Sequence, residues 1–145
     1  MIRSILTVCV GNICRSPMAE GLLQQRLPNI EVSSAGIGAL SGRSADPIAI
    51  DLLRERGLDI TSHRARQISD WMCRKADLIL VMEAAHKRVI ERTYRNVRGK
   101  LFLIGYHGKF DVFDPYRQGR ERFEACLNMI ACGVDTWAAR IEAIG

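Results

Sequence analysis

Cys9 and Arg15 bracket a short loop in the stretch Cys9-Val10-Gly11-Asn12-Ile13-Cys14-Arg15-Ser16-Pro17. A cysteine attacks as its thiolate. A free thiol has a pKa of about 8.5, and a helix N-terminus or a cationic neighbour lowers it to roughly 3.5–7.5. An arginine guanidinium is a planar fork that fits two oxygens of a phosphate, which a lysine cannot do. A short apolar run of Ile2, Ile5, Leu6 and Val8 precedes the loop. A helix start follows it, with Ser16 at the cap and Pro17 at the first helical position, where its missing N–H costs nothing. Strand, tight loop and helix N-terminus together aim backbone N–H groups and a positive dipole end into one small space, and that space binds anions. Cys9, at the strand end, feels both influences, which predicts a thiolate near neutral pH. A thiolate beneath a bound phosphoryl group implies a phosphocysteine intermediate. The loop amides and Arg15 would hold the equatorial oxygens during transfer.

The run from Val8 to Pro17, with Gly11-Asn12, the second cysteine Cys14 and Ser16-Pro17 following Cys9 near the N-terminus, resembles the low-molecular-weight protein tyrosine phosphatases. The resemblance implies hydrolysis of protein phosphotyrosine to tyrosine and inorganic phosphate, with Cys9 as nucleophile and Arg15 as phosphate clamp, and without cofactor or metal. It makes Val10, Gly11, Asn12, Ile13, Cys14 and Ser16 the phosphate-binding loop. It matches Asn12, Ser34 and His63 to a polar network that braces that loop; on the residues alone, His63 would pass as an ordinary surface or core histidine. Bracing makes physical sense, because slack in the loop would lose the in-line geometry. Asn12 is also a residue that tolerates a left-handed backbone.

Expelling a tyrosyl oxygen is easier when it is protonated as it leaves, a step worth typically 10²–10⁴-fold. Two Asp-Pro pairs offer the carboxylate. Asp46-Pro47 leads into a periodic apolar helix, so Asp46 is used as its cap. Asp114-Pro115 lies in a long loop, and Pro115 holds Asp114 extended and out of any helix. On its own Asp114 could equally be a turn former. Asp114-Pro115-Tyr116 matches the general-acid motif of the family, which makes Asp114 the acid and then the base for the hydrolytic water. Ser16 could donate to the Cys9 sulfur as well as cap its helix.

The same resemblance places Tyr116 as one wall for the substrate ring, by stacking, and Leu40 as the other, where many eukaryotic relatives carry an aromatic residue. Arg117 replaces a second tyrosine common in those relatives. Both departures resemble the bacterial subgroup, whose members act on autophosphorylating tyrosine kinases of capsule and exopolysaccharide export. Relatives that dephosphorylate arginine carry Thr where this chain has Ile13, so Ile13 favours tyrosine. Cys14 could be brought near Cys9 and form a reversible disulfide that protects the nucleophile from over-oxidation. Arsenate reduction on the same fold needs two further cysteines near the fourth strand, and residues 83–125 contain none. A non-catalytic phosphotyrosine reader would have no use for Asp114. Cys9-x4-Cys14 without a second Cys or His pair is a poor zinc site.

The elements that must position these groups follow from periodicity. Residues 2–9 read as a buried strand and 17–27 as a helix ended by Pro28, with Met18, Leu22, Leu23 and Leu27 on one face. Ile30 to Ala35 reads as a second strand, followed by a small-residue loop over 36–45. Asp46-Pro47 opens a helix that buries Ile48, Ala49, Leu52 and Leu53 and stops at Gly57. Residues 58–67 are an irregular connection, and Ser69 or Asp70 caps a short helix. Asp77 to Met82 is a continuous apolar run, as in a strand buried on both faces. Residues 84–95 are helical with Ala85, Val89 and Ile90 inward. Lys100 to Ile104 is a fourth strand, and 105–119 a long loop. The last helix carries Phe123, Leu127, Ile130, Val134, Trp137, Ile141 and Ile144 as a packing stripe. Gly133 within it marks close packing or a bend. Alternating strands and helices predict an α/β fold: a single domain over 1–145, with a parallel four-stranded sheet, helices on both faces and the phosphate-binding loop after the first strand.

The chain has 145 residues, a net charge of +5 and a sequence pI of about 9.2. Its cations are scattered, aromatics are 6 %, and no nucleic-acid motif is present, so a basic face that attracts an anionic phosphoprotein is the economical reading. No signal peptide and no membrane-length apolar run are evident. An odd count of five cysteines, one of them reactive, favours the cytosol. Cys73, Cys126 and Cys132 read as buried apolar residues.

Overall fold

Leu78-Ile79-Leu80-Val81 is buried at every position, because this strand sits in the middle of a sheet covered on both faces. The computed structural model describes residues 1–145. Its elements are β1 (Ser4–Cys9), α1 (Arg15–Arg26), β2 (Glu31–Gly36), α2 (Pro47–Glu55), α3 (Asp70–Lys75), β3 (Leu78–Val81), α4 (Ala84–Thr93), a 3-10 turn (Arg95–Val97), β4 (Leu101–Leu103) and α5 (Arg120–Ile144). The four strands run parallel in the order β2-β1-β3-β4. The expected α/β architecture is therefore present, and the loop carrying Cys9 to Arg15 follows β1 as the sequence indicates.

Alternation along β1 splits the core in two. Ile5 and Cys9 face the side covered by α1, α2 and α5, where Met18, Leu23, Leu53, Phe123, Ile130 and Val134 pack. Leu6 and Val8 face the other side with Ile68, Cys73, Ile79, Val81 and Ile90. The α5 stripe is buried from Phe123 to Ile141. Gly133 lies in it because an added Cβ would stand 2.6 Å from the Ile104 carbonyl oxygen, so close packing is the reason. Asp46 caps α2, accepting from the Ile48 N–H at 2.9 Å, and Ser69 caps α3, accepting from Met72 N–H at 3.3 Å. No helix is long and apolar enough to cross a membrane.

The structure corrects several expectations. Ser16 is not a helix cap: α1 already starts at Arg15, Cys14 occupies the capping position without a side-chain bond, and Pro17 lies inside the first turn. In α4, Ala85 is exposed and Val89 is 40 % exposed, while His86 and Ile90 point inward. The helix sits over the edge of the sheet, so only one residue per turn reaches the core. Ile144 is 78 % exposed, because α5 outruns the sheet it packs on. Cys132 is exposed rather than buried, and all five cysteines are free thiols.

Candidate active site

Each carbonyl from Cys9 to Cys14 is bound by a group outside the loop or one turn further along α1. Cys9 O accepts from Ile37 N, Val10 O from Gly38 N, and Gly11 O from Leu40 N, at 2.9 to 3.0 Å. Asn12 O accepts from His63 Nε2 at 2.7 Å, Ile13 O from Asp46 N at 2.8 Å, and Cys14 O from Met18 N at 3.3 Å. A trans peptide aims its N–H opposite its C=O. With the carbonyls held outward, the loop amides turn inward and form the cradle that an anion needs. Asn12 supplies the left-handed residue of the curl, at φ 60°.

Cys9 is 2 % exposed and lies at the base of this loop. Its Sγ is 2.9 Å from Ser16 Oγ and receives the Ser16 N–H at 3.4 Å. The Ser16 hydroxyl therefore serves the sulfur instead of its own helix, which is why it makes no cap. Asn12 Nδ2 donates to Ser16 Oγ at 2.7 Å and to Ser34 Oγ at 3.0 Å, and Asn12 Oδ1 accepts from Arg66 N–H at 2.9 Å. Ser34 Oγ donates to Glu20 Oε1 at 2.5 Å, and Arg66 Nε to Ser34 O at 2.9 Å. Asn12, Ser34 and His63 thus meet behind the loop, together with Glu20 and Arg66, which were not foreseen from the sequence. Glu20 lies four positions after Ser16 on α1, on the helix face shared with it.

Arg15 is 2 % exposed. Its Nη1 donates to Glu83 Oε2 at 2.5 Å and to the Val112 carbonyl at 2.9 Å. Asp114 Oδ2 stands 3.9 Å from Arg15 Nη2. The other Asp114 oxygen accepts the Tyr116 N–H at 3.1 Å, which sets the turn of that loop. Glu83 was also missed. The available signal was its place directly after the apolar run of β3, at the carboxyl end of a parallel strand where ligands gather.

A cleft of about 190 Å³ opens over the loop. Cys9, Val10, Gly11, Ile13, Cys14 and Arg15 form its floor and sides, and Leu40, Asp114 and Tyr116 border it with the unforeseen Gly38. Asn12, Ser16, Ser34 and His63 lie outside this lining. Arg117 adopts φ 63° and lays its guanidinium 5.1 Å from the Tyr116 ring centre. Cys14 is buried beside Cys9. That burial, then the charges of Asp46, Cys9 and Asp114, push its thiol well above the ordinary range.

The sequence profile described as low molecular weight phosphotyrosine protein phosphatase matches residues 4–144. A probable low molecular weight protein-tyrosine-phosphatase, EpsP of Ralstonia solanacearum, is 51 % identical over 145 residues, the whole of both chains. The low molecular weight protein-tyrosine-phosphatase Wzb of Escherichia coli K12 is 45 % identical over 144 residues, covering 99 % of this chain and 98 % of that one. Among solved structures, Wzb of Vibrio vulnificus in complex with benzylphosphonate superposes with a TM-score of 0.93 at 41 % identity, over 97 % of this chain and 99 % of that one.

Proposed function

The chain belongs to the low molecular weight protein-tyrosine-phosphatase family, and from that premise we propose the roles of its residues in turning over a phosphotyrosyl protein. The Cys9 thiolate attacks phosphorus in line, while Arg15 and the loop amides hold the equatorial oxygens. Asp114 gives its proton to the leaving phenol. The P–O bond to tyrosine breaks as the S–P bond forms, leaving phosphocysteine and tyrosine. Asp114, now a carboxylate, takes a proton from water as that water attacks phosphorus. The S–P bond breaks, inorganic phosphate leaves, and the Ser16 hydroxyl stabilises the departing sulfur. One observation carries this reading: Cys9 Sγ, the Arg15 guanidinium and the Asp114 carboxylate converge on one cleft, with Asp114 3.9 Å from Arg15.

Ile13 and Tyr116 line that cleft with apolar and aromatic surface, which supports an aryl phosphate as substrate, with Leu40 at the rim. Asn12, Ser34 and His63 hold the loop in shape. Cys14 is the resolving thiol: when peroxide converts Cys9 to a sulfenic acid, the Cys14 sulfur attacks it, water leaves and a Cys9–Cys14 disulfide forms. The protein partner is an autophosphorylating tyrosine kinase of polysaccharide export, drawn in by the net positive charge. An essential thiol that must stay reduced supports a cytosolic setting.

The test is Cys9→Ser. Turnover of an aryl phosphate is expected to vanish, while binding of inorganic phosphate persists and a phosphotyrosyl kinase is retained from extract. Normal turnover in Cys9→Ser would end the reading.

A further inference from the structure

The Glu83 oxygen that holds Arg15 is touched by a second buried side chain. His86, three residues along α4, is 7 % exposed, and its Nε2 lies 3.3 Å from Glu83 Oε2, the same oxygen that receives Arg15 Nη1 at 2.5 Å. His86 Nδ1 is buried and has no hydrogen-bond partner. The two side chains lie within ion-pair range without forming a hydrogen bond, and a bare Nδ1 suits the neutral ring because a proton there would be buried unsatisfied. Burial and then the Arg15 charge hold this imidazole below its usual range, against the opposing pull of Glu83, Asp111 and Asp114. Glu83 itself stands at the N-cap of α4 yet makes no capping bond. The N–H of Ala84, at the start of that helix, is taken by Asp111 Oδ1 at 3.2 Å. The Glu83 carboxylate is thereby left to Arg15 and His86.

We propose that His86 is a positioning residue for phosphoryl transfer: its ring edge, 3.3 Å from Glu83 Oε2, confines the Glu83 carboxylate, and that carboxylate aims Arg15 at the phosphate. This rests on the reading of Arg15 as the phosphate clamp. The arginine is anchored on one side by Glu83 and the Val112 carbonyl, which leaves the remaining guanidinium edge for substrate. Without His86, Glu83 loses one of the contacts that fix its direction, and Arg15 gains play. Misplacing a catalytic group by about 1 Å costs roughly 10²-fold, so partial slack of this kind costs about tenfold.

The experiment measures kcat, KM and inhibition by inorganic phosphate for the full chain carrying His86→Ala, His86→Gln, Glu83→Gln, the His86→Ala/Glu83→Gln double substitution and Arg15→Lys. His86→Ala is expected to lower kcat about tenfold and weaken phosphate inhibition severalfold. His86→Gln, whose side chain keeps a polar group against Glu83, restores most of both. In the Glu83→Gln background the loss of His86 costs little more, because residues acting through one contact are not additive. If His86→Ala fails to fold, His86→Met fills the space without a nitrogen against Glu83 and carries the same expectation. A folded His86 variant with wild-type kcat and phosphate inhibition overturns the proposal, as does a full further tenfold loss in the Glu83→Gln background. Arg15→Lys separates the two readings. Normal turnover there would remove the clamp itself, whereas a crippled Arg15→Lys beside an unaffected His86→Ala would remove only His86.

Discussion

Ser16 meets Cys9 twice, through its backbone N–H at 3.4 Å from Sγ and its hydroxyl at 2.9 Å. The hydroxyl oxygen is occupied by Asn12 Nδ2 at 2.7 Å, so its own hydrogen is free to face the sulfur. Asn12 also reaches Ser34, whose hydroxyl donates to Glu20. The result is a chain of directed hydrogen bonds running from a carboxylate on α1 to the Cys9 sulfur. Each member fixes the next, so the sulfur is held by a network and not by one contact.

Ser16→Ala removes the hydroxyl while keeping the N–H. A hydrogen bond to a charged group is worth about 1.5–3 kcal/mol, which converts to roughly one to two decades in rate. On the proposed path the sulfur needs that bond most when it leaves phosphocysteine. The second step is therefore expected to slow more than the first, and rapid mixing with an aryl phosphate should give a burst of phenol followed by a slow steady state. A uniform loss without a burst would place the hydroxyl's effect on the first step.

Asp114→Asn keeps the size of the side chain and the Tyr116 N–H contact but cannot give up a proton. The expected loss in kcat is about 10²–10⁴-fold for a phenol of high pKa. It is smaller for p-nitrophenyl phosphate, whose leaving group departs readily as an anion. A plot of rate against leaving-group pKa should steepen in the variant. An unchanged slope would mean that another group supplies the proton.

Much of this site could be read from the sequence because its central part is contiguous. The loop from Cys9 to Arg15 needs only a strand before it and a helix after it, and both signals are local. Asp114 lies far along the chain, yet Pro115 and the lack of periodicity around it mark it out. Glu83 escaped because its partner, Arg15, is 68 positions away and no spacing rule links them. The sequence allows Ser16 both as a cap and as a partner of the Cys9 sulfur; only the second is present, because α1 already begins at Arg15 and the hydroxyl lies against the sulfur. His86 was hidden by its polarity: hydropathy put Ala85 and Val89 on the inner face of α4, whereas burial follows the i, i+4 pair of His86 and Ile90.

Two glycines separate activity from stability. A Cβ at Gly36 would stand 2.4 Å from the Val10 carbonyl oxygen and 3.0 Å from Asn12 Cβ, so Gly36→Ala pushes directly on the phosphate loop. At Gly133 a Cβ would stand 2.6 Å from Ile104 O, on the seam between α5 and the end of β4. Both substitutions overpack and should cost about 1–3 kcal/mol in denaturant unfolding. Only Gly36→Ala is expected to lower kcat of the folded enzyme, together with its affinity for inorganic phosphate. Equal kinetics in the two variants would mean that the loop shape tolerates the push.

Three buried thiols, Cys14, Cys73 and Cys126, shape how the fold responds to alkali. Burial pushes Cys126 up to about 12 and Cys73 up to about 11, from an ordinary value of 9.0. Both folded values lie above the unfolded one, so the native state holds these protons more tightly. The contribution is whole below pH 9 and is lost as pH climbs from 9 through the folded values, because the unfolded chain ionises first. Denaturant unfolding should therefore give a stability that declines above pH 9, beyond any change between pH 7 and 8.5. Cys126→Ala lowers stability at neutral pH through lost packing, but it also removes one of the groups that titrate. Its alkaline decline should be shallower than that of the unaltered protein, and an identical decline would show that the Cys126 thiol is not held protonated by the fold.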